Sequence, residues 1–125
     1  MKTVNTDKAP AAIGPYSQAI ISGGLVFTSG QIPVDPATGA VAGETIVEQA
    51  KQVMANLQVV LAAAGTTPER TVKTTCFLAD MADFAAFNEI YAQTFTSKPA
   101  RSCVAVRTLP KGVLCEVEVV AETEA

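Results

Sequence analysis

The architecture is easiest to predict from the segment Lys98-Pro99-Ala100-Arg101-Ser102-Cys103-Val104-Ala105-Val106-Arg107-Thr108-Leu109-Pro110-Lys111-Gly112-Val113-Leu114-Cys115-Glu116-Val117-Glu118-Val119-Val120-Ala121. Its apolar residues alternate with small or polar ones, which predicts two strands joined by a Pro/Gly turn. Side chains of a strand point alternately to its two faces. The second strand therefore has one apolar face and one face that mixes carboxylates with apolar residues: Cys115, Val117, Val119 and Ala121 against Leu114, Glu116, Glu118 and Val120.

Two ionisable side chains of this segment suggest a small hydrolytic site. If the two strands pair antiparallel with an odd register sum, Arg101 and Glu116 lie on the same face of the sheet; the sequence leaves this register open. A guanidinium can bind a planar anion through two hydrogen bonds, and a nearby carboxylate can hold a water molecule. From the residue types alone, the alternative is a structural Arg–Glu ion pair on a half-covered sheet.

Three motifs along the chain resemble those of the RidA/YjgF (Rid) family. They are Pro99-Ala100-Arg101-Ser102-Cys103-Val104 with the following Leu109-Pro110-Lys111 and Glu116-Val117-Glu118, then Ala11-Ala12-Ile13-Gly14-Pro15-Tyr16-Ser17-Gln18-Ala19, and Phe27-Thr28-Ser29-Gly30-Gln31-Ile32-Pro33. The resemblance covers nearly the whole chain. It implies a chorismate-mutase-like α+β fold, a homotrimer with clefts at the subunit interfaces, and hydrolysis of reactive enamines and imines. The substrates implied are 2-aminoacrylate and 2-iminobutanoate, converted to 2-oxo acids and ammonia.

The resemblance also implies a role for individual side chains. Arg101 is expected to bind the substrate carboxylate, and Glu116 is expected to position the attacking water. The other expected substrate-binding residues are Tyr16 as the cleft-closing tyrosine, Ser29 as a hydrogen-bond donor, Gly30 and Gln31 as pocket wall, Asn88 of the Phe84-to-Tyr91 motif, and Cys103 through its backbone or bulk. The structural alternatives are that Tyr16 only packs against its neighbours, that Ser29 is an ordinary strand-end serine, and that Asn88 is solvated.

Composition bounds the other expectations. The chain has 125 residues, which predicts one domain spanning residues 1–125. With 49% apolar and 17% charged residues, some apolar surface is expected to be buried between subunits, although the richness in Ala is the alternative reason. The net charge of −3 and the absence of a basic run argue against nucleic-acid binding.

No cofactor or metal is expected from the residue types. The sequence has no His, and its three cysteines lack C-x-x-C spacing. A cytoplasmic location is expected, because no signal-like or membrane-spanning apolar run is visible and an odd cysteine count suggests reduced thiols.

Periodicity predicts the order ββαβαββ. Strands are predicted at 17–22, 25–29 and 72–79, with helices at 45–64 and 84–95. This order predicts an α+β protein with both helices on one face of a mixed sheet and with neighbouring subunits covering the other face. The connection after the second helix, Thr96-Ser97-Lys98, is shorter than in some Rid proteins, which is expected to affect the lip of the cleft.

Two other functions fit the same sequence. One is a non-catalytic module that binds a small carboxylate such as a 2-oxo acid, because the fold and Arg101 need only bind. The other is the ribonuclease activity suggested for the wider family, against which the acidic charge balance and the missing His argue.

Overall fold

A computed structural model describes residues 1–123. Within this range one mixed sheet has the strand order β1-β2-β3-β6-β4-β5. Two helices, α1 (Ile46–Ala63) and α2 (Phe84–Thr94), pack on one face of it. The strands are β1 Lys2–Val4, β2 Ala19–Ser22, β3 Leu25–Thr28, β4 Thr71–Leu78, β5 Ala100–Ala105 and β6 Cys115–Glu122. The α+β class and the predicted element order are confirmed, with one short strand, β1, added at the N-terminus.

The two C-terminal strands, predicted to be joined by a Pro/Gly turn, do not pair with each other, because β4 lies between them. β5 pairs with β4 in parallel, whereas β6 pairs with β4 antiparallel. Helix α2 provides the crossover that a parallel β4–β5 pair requires. Strand partners depend on contacts distant in sequence, so the local Pro/Gly turn signal was not enough to assign them.

The β4 register places Arg101 and Glu116 on opposite faces of the sheet. Arg101 is the partner of Thr74, and Glu116 is the partner of Phe77. Paired residues point to the same side, and positions three apart on one strand point to opposite sides. Arg101 therefore faces the helices, whereas Glu116 faces away from them.

Helix α1 has a complete set of end signals. Thr45 and Glu48 form a capping box, with the Glu48 amide donating to Thr45 Oγ1 at 3.2 Å. At the other end, Gly65 has φ +80°, and the amide of Thr66 donates to the Leu61 carbonyl at 3.0 Å. This is the arrangement of a Schellman motif, which left-handed glycine makes possible. The helix predicted at 45–64 is confirmed to within one residue at each end.

The two faces of the sheet differ in burial. The helix-covered face of β6 is the centre of the core, with Cys115, Val117, Val119 and Ala121 all buried. On the opposite face, Phe27 is 43% exposed and Val104 is 46% exposed. This second surface, which we call the open face, combines apolar side chains with the carboxylates of Glu116 and Glu118. None of the helices in residues 1–123 has both the length and the hydropathy needed to cross a bilayer.

Candidate functional site

Arg101 is held in a fixed position between β5 and α2. Its Nη1 donates to Asn88 Oδ1 at 2.7 Å. The guanidinium carbon lies 4.8 Å from the ring centroid of Tyr91 and 5.4 Å from that of Phe84. These ring contacts attract the cation without neutralising its charge. The Tyr91 hydroxyl in turn shares a 2.7 Å hydrogen bond with Thr74 Oγ1, which orients the ring.

The guanidinium retains donors for a ligand. Among residues 1–123, no carboxylate forms an ion pair with Arg101. In the same range, the guanidinium makes one side-chain hydrogen bond, to Asn88. An open cavity of about 330 Å³ adjoins it, lined by Asn88, Tyr91, Ala92, Phe95, Lys98, Pro99 and Arg101. A half-buried, unpaired guanidinium next to an open cavity suits a planar anion such as a carboxylate.

Glu116 occupies a separate position on the open face, in contact with Gly30. A Cβ built on Gly30 would lie 2.8 Å from Cδ of Glu116, closer than real Cβ contacts allow. Burial raises the pKa of Glu116, and the neighbouring charge of Glu118 raises it further. Gly30 therefore leaves the space in which this carboxylate lies, and the carboxylate is a stronger base than an ordinary exposed Glu.

The loops before β2 and after β3 form a larger cavity on the Gly30 side. Its volume is about 480 Å³, and Tyr16, Gly30, Gln31 and Lys111 are among the residues that line it. Tyr16 is 54% exposed, whereas Gln31 is buried and joined to Val117 by two backbone hydrogen bonds of 2.8 and 3.1 Å. Among the residues that the structure describes, Lys111 is the one charged side chain in the lining.

The remaining two predicted site residues divide between the two positions. Ser29 lies near Gly30, but its hydroxyl donates to the Ser17 carbonyl at 2.6 Å, so its proton is already engaged. Cys103 lies on the helix side, two residues from Arg101, and burial raises the pKa of its thiol. The predicted residues thus form two groups: Arg101, Asn88 and Cys103 on the helix side, and Glu116, Gly30, Gln31, Ser29 and Tyr16 on the Gly30 side. Of the second group, Tyr16, Gly30 and Gln31 line the larger cavity.

Two buried amides of α1, Gln49 and Asn56, which were not among the predicted site residues, support the Glu116 region. Gln49 Oε1 accepts from the Leu114 amide at 2.8 Å. Asn56 donates to the carbonyls of Ile32 and Val34 at 3.2 and 3.0 Å. They fix the start of β6 and the loop after Gly30. In the sequence, both residues could have been recognised as amide side chains that lie seven positions apart, next to the apolar stripe of the same helix.

Within the described part of the chain, no three His, Cys, Asp or Glu side chains cluster in a way that could hold a metal ion. Fold and site together define a class of protein: an α+β subunit with an arginine beside an open cavity on the helix side and a half-buried carboxylate on the open face.

Comparison with known proteins identifies the family within this class. Residues 6–123 match the family described as endoribonuclease L-PSP. A 2-iminobutanoate/2-iminopropanoate deaminase of Salmonella typhimurium is 51% identical over 124 residues, with 96% of each chain covered. A protein of Lactococcus lactis named as the regulator AldR is 48% identical over 126 residues, with both chains fully covered.

Solved structures agree with this match. A protein of the conserved Rid family from Yersinia pestis superposes with a TM-score of 0.95 at 46% identity, covering 98% of both chains. Escherichia coli TdcF with bound serine superposes with a TM-score of 0.94 at 42% identity, covering 99% of this chain and 100% of TdcF. The chain belongs to the endoribonuclease L-PSP family, also called the RidA/YjgF or Rid family.

Proposed function

We propose that this protein is an enamine/imine deaminase, which hydrolyses 2-aminoacrylate, 2-iminobutanoate and related 2-imino acids to 2-oxo acids and ammonia. The observation that carries the proposal is Arg101, whose guanidinium is fixed by Asn88 and Tyr91 and is still free to bind a carboxylate. The name of the Salmonella typhimurium relative supports the reaction, and the serine bound in TdcF supports a small ligand with a carboxylate.

In the proposed mechanism, Arg101 fixes the substrate by its carboxylate and leaves the adjacent C=N carbon open to attack. Two parallel hydrogen bonds from a guanidinium set both position and orientation. The enamine form first gains a proton at its terminal carbon to become the imine. Water then adds to the imine carbon, the C–N bond breaks, and the products are the 2-oxo acid and ammonia.

Glu116 is assigned the role of the general base that holds the attacking water. Its carboxylate accepts a proton as the C–O bond forms and returns a proton to the departing nitrogen. The raised pKa of Glu116 supports this role, because a base titrating closer to neutral pH transfers protons in both directions more readily. Glu116 thus supplies both the general base and the general acid in a sequence that contains no histidine.

We propose that a complete site forms between subunits of a homotrimer. Arg101 and Glu116 lie on opposite faces of one sheet, so a substrate cannot reach both within a single chain. The exposed Phe27 and Val104 support packing of a neighbouring subunit on the open face, because such side chains gain by burial. We further propose a cytoplasmic location, supported by three cysteines that are all unpaired thiols.

A coupled assay tests this function. A threonine or serine dehydratase generates the imine in the cuvette, and release of the 2-oxo acid is followed with and without the protein. We expect acceleration by the wild type and by the control variant Arg107→Ala, which removes an exposed arginine of the same segment. Arg101→Ala should reduce kcat/KM roughly 100-fold, because two charge-assisted hydrogen bonds contribute about 1.5 kcal/mol each. Full activity of a folded Arg101→Ala variant would contradict the mechanism.

A second candidate function is a regulatory module that binds a small 2-oxo acid without turnover. The separation of Arg101 from Glu116 within one chain favours it, since one chain has an anion site without a facing base, and so does the regulator name of the Lactococcus lactis relative. Saturable 2-oxo-acid binding that requires Arg101, with no acceleration of imine hydrolysis by an assembled oligomer, would establish this function instead. Strongly salt-dependent RNA binding would point to the nuclease named in the family description.

A further inference from the structure

Two cysteines face each other across the edge of the sheet. Cys76 of β4 and Cys103 of β5 are direct partners in the parallel register, and both point toward the helices. Neighbouring strands are about 4.8 Å apart, which lies inside the Cα separation of about 4.4–6.8 Å that a disulfide requires. The Cys76 thiol donates a long hydrogen bond of 3.9 Å to Thr74 Oγ1 on its own strand, so the pairing with Cys103 rests on the strand register.

The third cysteine is placed less favourably. Cys115 of β6 is the partner of Leu78, so it lies diagonally to Cys76 on the same face. Diagonal neighbours on paired strands are about 7–8 Å apart, beyond the reach of a disulfide without backbone movement. Cys115 is also completely buried, whereas Cys103 is partly exposed. The register therefore selects one pair of the three thiols.

We propose that Cys76 and Cys103 form a reversible modification site, an intrachain disulfide that ties the edge strand β5 to β4 when the protein meets a peroxide. The proposal does not depend on the deaminase function. It also concerns a residue beside the substrate arginine, because Cys103 follows Arg101 by two positions on the same strand face.

The chemistry proceeds in two balanced steps. Hydrogen peroxide oxidises the Cys103 thiol to a sulfenic acid and is reduced to water. The Cys76 sulfur then attacks the Cys103 sulfur, the S–OH bond breaks, and the hydroxide leaves with the Cys76 proton as a second water. Cys103 reacts first because it is partly exposed, whereas Cys76 is buried. Cys76 is buried and shielded from peroxide, so it acts as the resolving thiol through its position opposite Cys103.

Peptide mapping of the full-length protein tests the proposal directly. Trypsin cleavage after lysine and arginine places Cys76 in peptide 74–101, Cys103 in 102–107 and Cys115 in 112–125, so each thiol is read separately. After treatment with hydrogen peroxide, alkylation in denaturant and digestion without reductant, we expect peptides 74–101 and 102–107 to be joined with the loss of two hydrogens. Peptide 112–125 should be alkylated, and dithiothreitol should restore all three thiols.

A matched pair of variants separates the two buried thiols. Cys115→Ala should retain the cross-link, whereas Cys76→Ala should lose it and accumulate Cys103 sulfinic acid. Because the wild-type map needs no variant, a poorly folding substitution does not affect the main result. The proposal would be overturned by wild-type Cys103 found over-oxidised with Cys76 free, by a link to Cys103 of another chain, or by three intact thiols after peroxide treatment.

Discussion

Arg101 and Glu116 extend from opposite faces of one sheet. Their partners on β4 are Thr74 and Phe77, and the three-residue offset between those partners sets the two side chains on different sides. One side chain lies against α2 and the other beside Gly30. If both act on one substrate, as the proposed deaminase mechanism requires, they must come from different subunits.

Mixing two inactive variants should restore activity. Arg101→Ala retains Glu116, and Glu116→Gln retains Arg101, so a mixed oligomer contains some interfaces with both native groups. We expect an equimolar mixture, unfolded and refolded together, to recover roughly a quarter of the wild-type rate, because random assembly matches two intact partners at one interface in four. The coupled imine assay measures this rate.

The control for the mixing experiment is the double variant Arg101→Ala/Glu116→Gln. Refolded together with the wild type, it should lower the rate, because it contributes neither group to any interface. If the two single variants fail to complement each other while native mass spectrometry shows that they have mixed, a site between subunits is ruled out.

The pH dependence of hydrolysis should report Glu116. The carboxylate is the active form, and burial with the Glu118 charge raises its pKa above 4.5. Activity should therefore fall as the pH is lowered through this raised pKa. The fall should begin at a higher pH than it would for a carboxyl group with an ordinary pKa. Glu118→Gln removes the like charge, lowers the pKa of Glu116 and should move the acid limb of kcat/KM to lower pH.

The matched control on the same strand is Glu122→Gln. Glu122 is exposed and does not contribute to the pKa of Glu116. Its pH profile should coincide with that of the wild type after subtraction of the uncatalysed rate. An equal displacement of the acid limb in both variants would show that the profile reflects overall charge and not the Glu116–Glu118 pair.

Gly30→Ala should displace the Glu116 carboxylate. A methyl group at position 30 would enter the space held by that carboxylate. The φ of Gly30 is not in the left-handed region, so the backbone itself can accept Ala. We expect kcat to fall roughly 10–100-fold, in line with the effect of misplacing one catalytic group, while the melting temperature changes little.

A double-mutant cycle decides whether Gly30 acts through Glu116. In a Glu116→Gln background, Gly30→Ala should have almost no further effect on kcat, since the group that it displaces is already inactive. Additive losses in the cycle would mean that Gly30 contributes to the rate by another route.

Asn88 should set the affinity of Arg101 for the substrate carboxylate. Asn88→Ala removes the 2.7 Å hydrogen bond to Nη1, and we expect KM to rise about 10-fold because a hydrogen bond to a charged group contributes about 1.5 kcal/mol. Asn88→Asp should raise KM further, because its carboxylate would compete with the substrate for the guanidinium.

Gln93→Ala is the control on the same helix. Gln93 is exposed, so this variant should retain the wild-type KM. Steady-state kinetics of the three variants give the comparison. An Asn88→Asp variant as active as the wild type would show that the guanidinium does not bind the substrate.

Local signals in the sequence determined the elements of the fold and the residue types of the site. The capping box at Thr45, the left-handed Gly65 and the apolar stripe between them delimit α1, because they act within a few residues of the chain. Alternation along β6 likewise identified its buried face and placed Glu116 on the other. The Rid motifs pointed to Arg101 and Glu116 themselves.

Only the tertiary structure decided how these pieces meet. The insertion of β4 between β5 and β6, the opposite facing of Arg101 and Glu116 and the pairing of Cys76 with Cys103 all follow from strand order and register. These depend on contacts between residues far apart in the chain, and a shift of one residue in register would reverse every facing. The same holds for the support given by Gln49 and Asn56, whose partners lie more than twenty positions away.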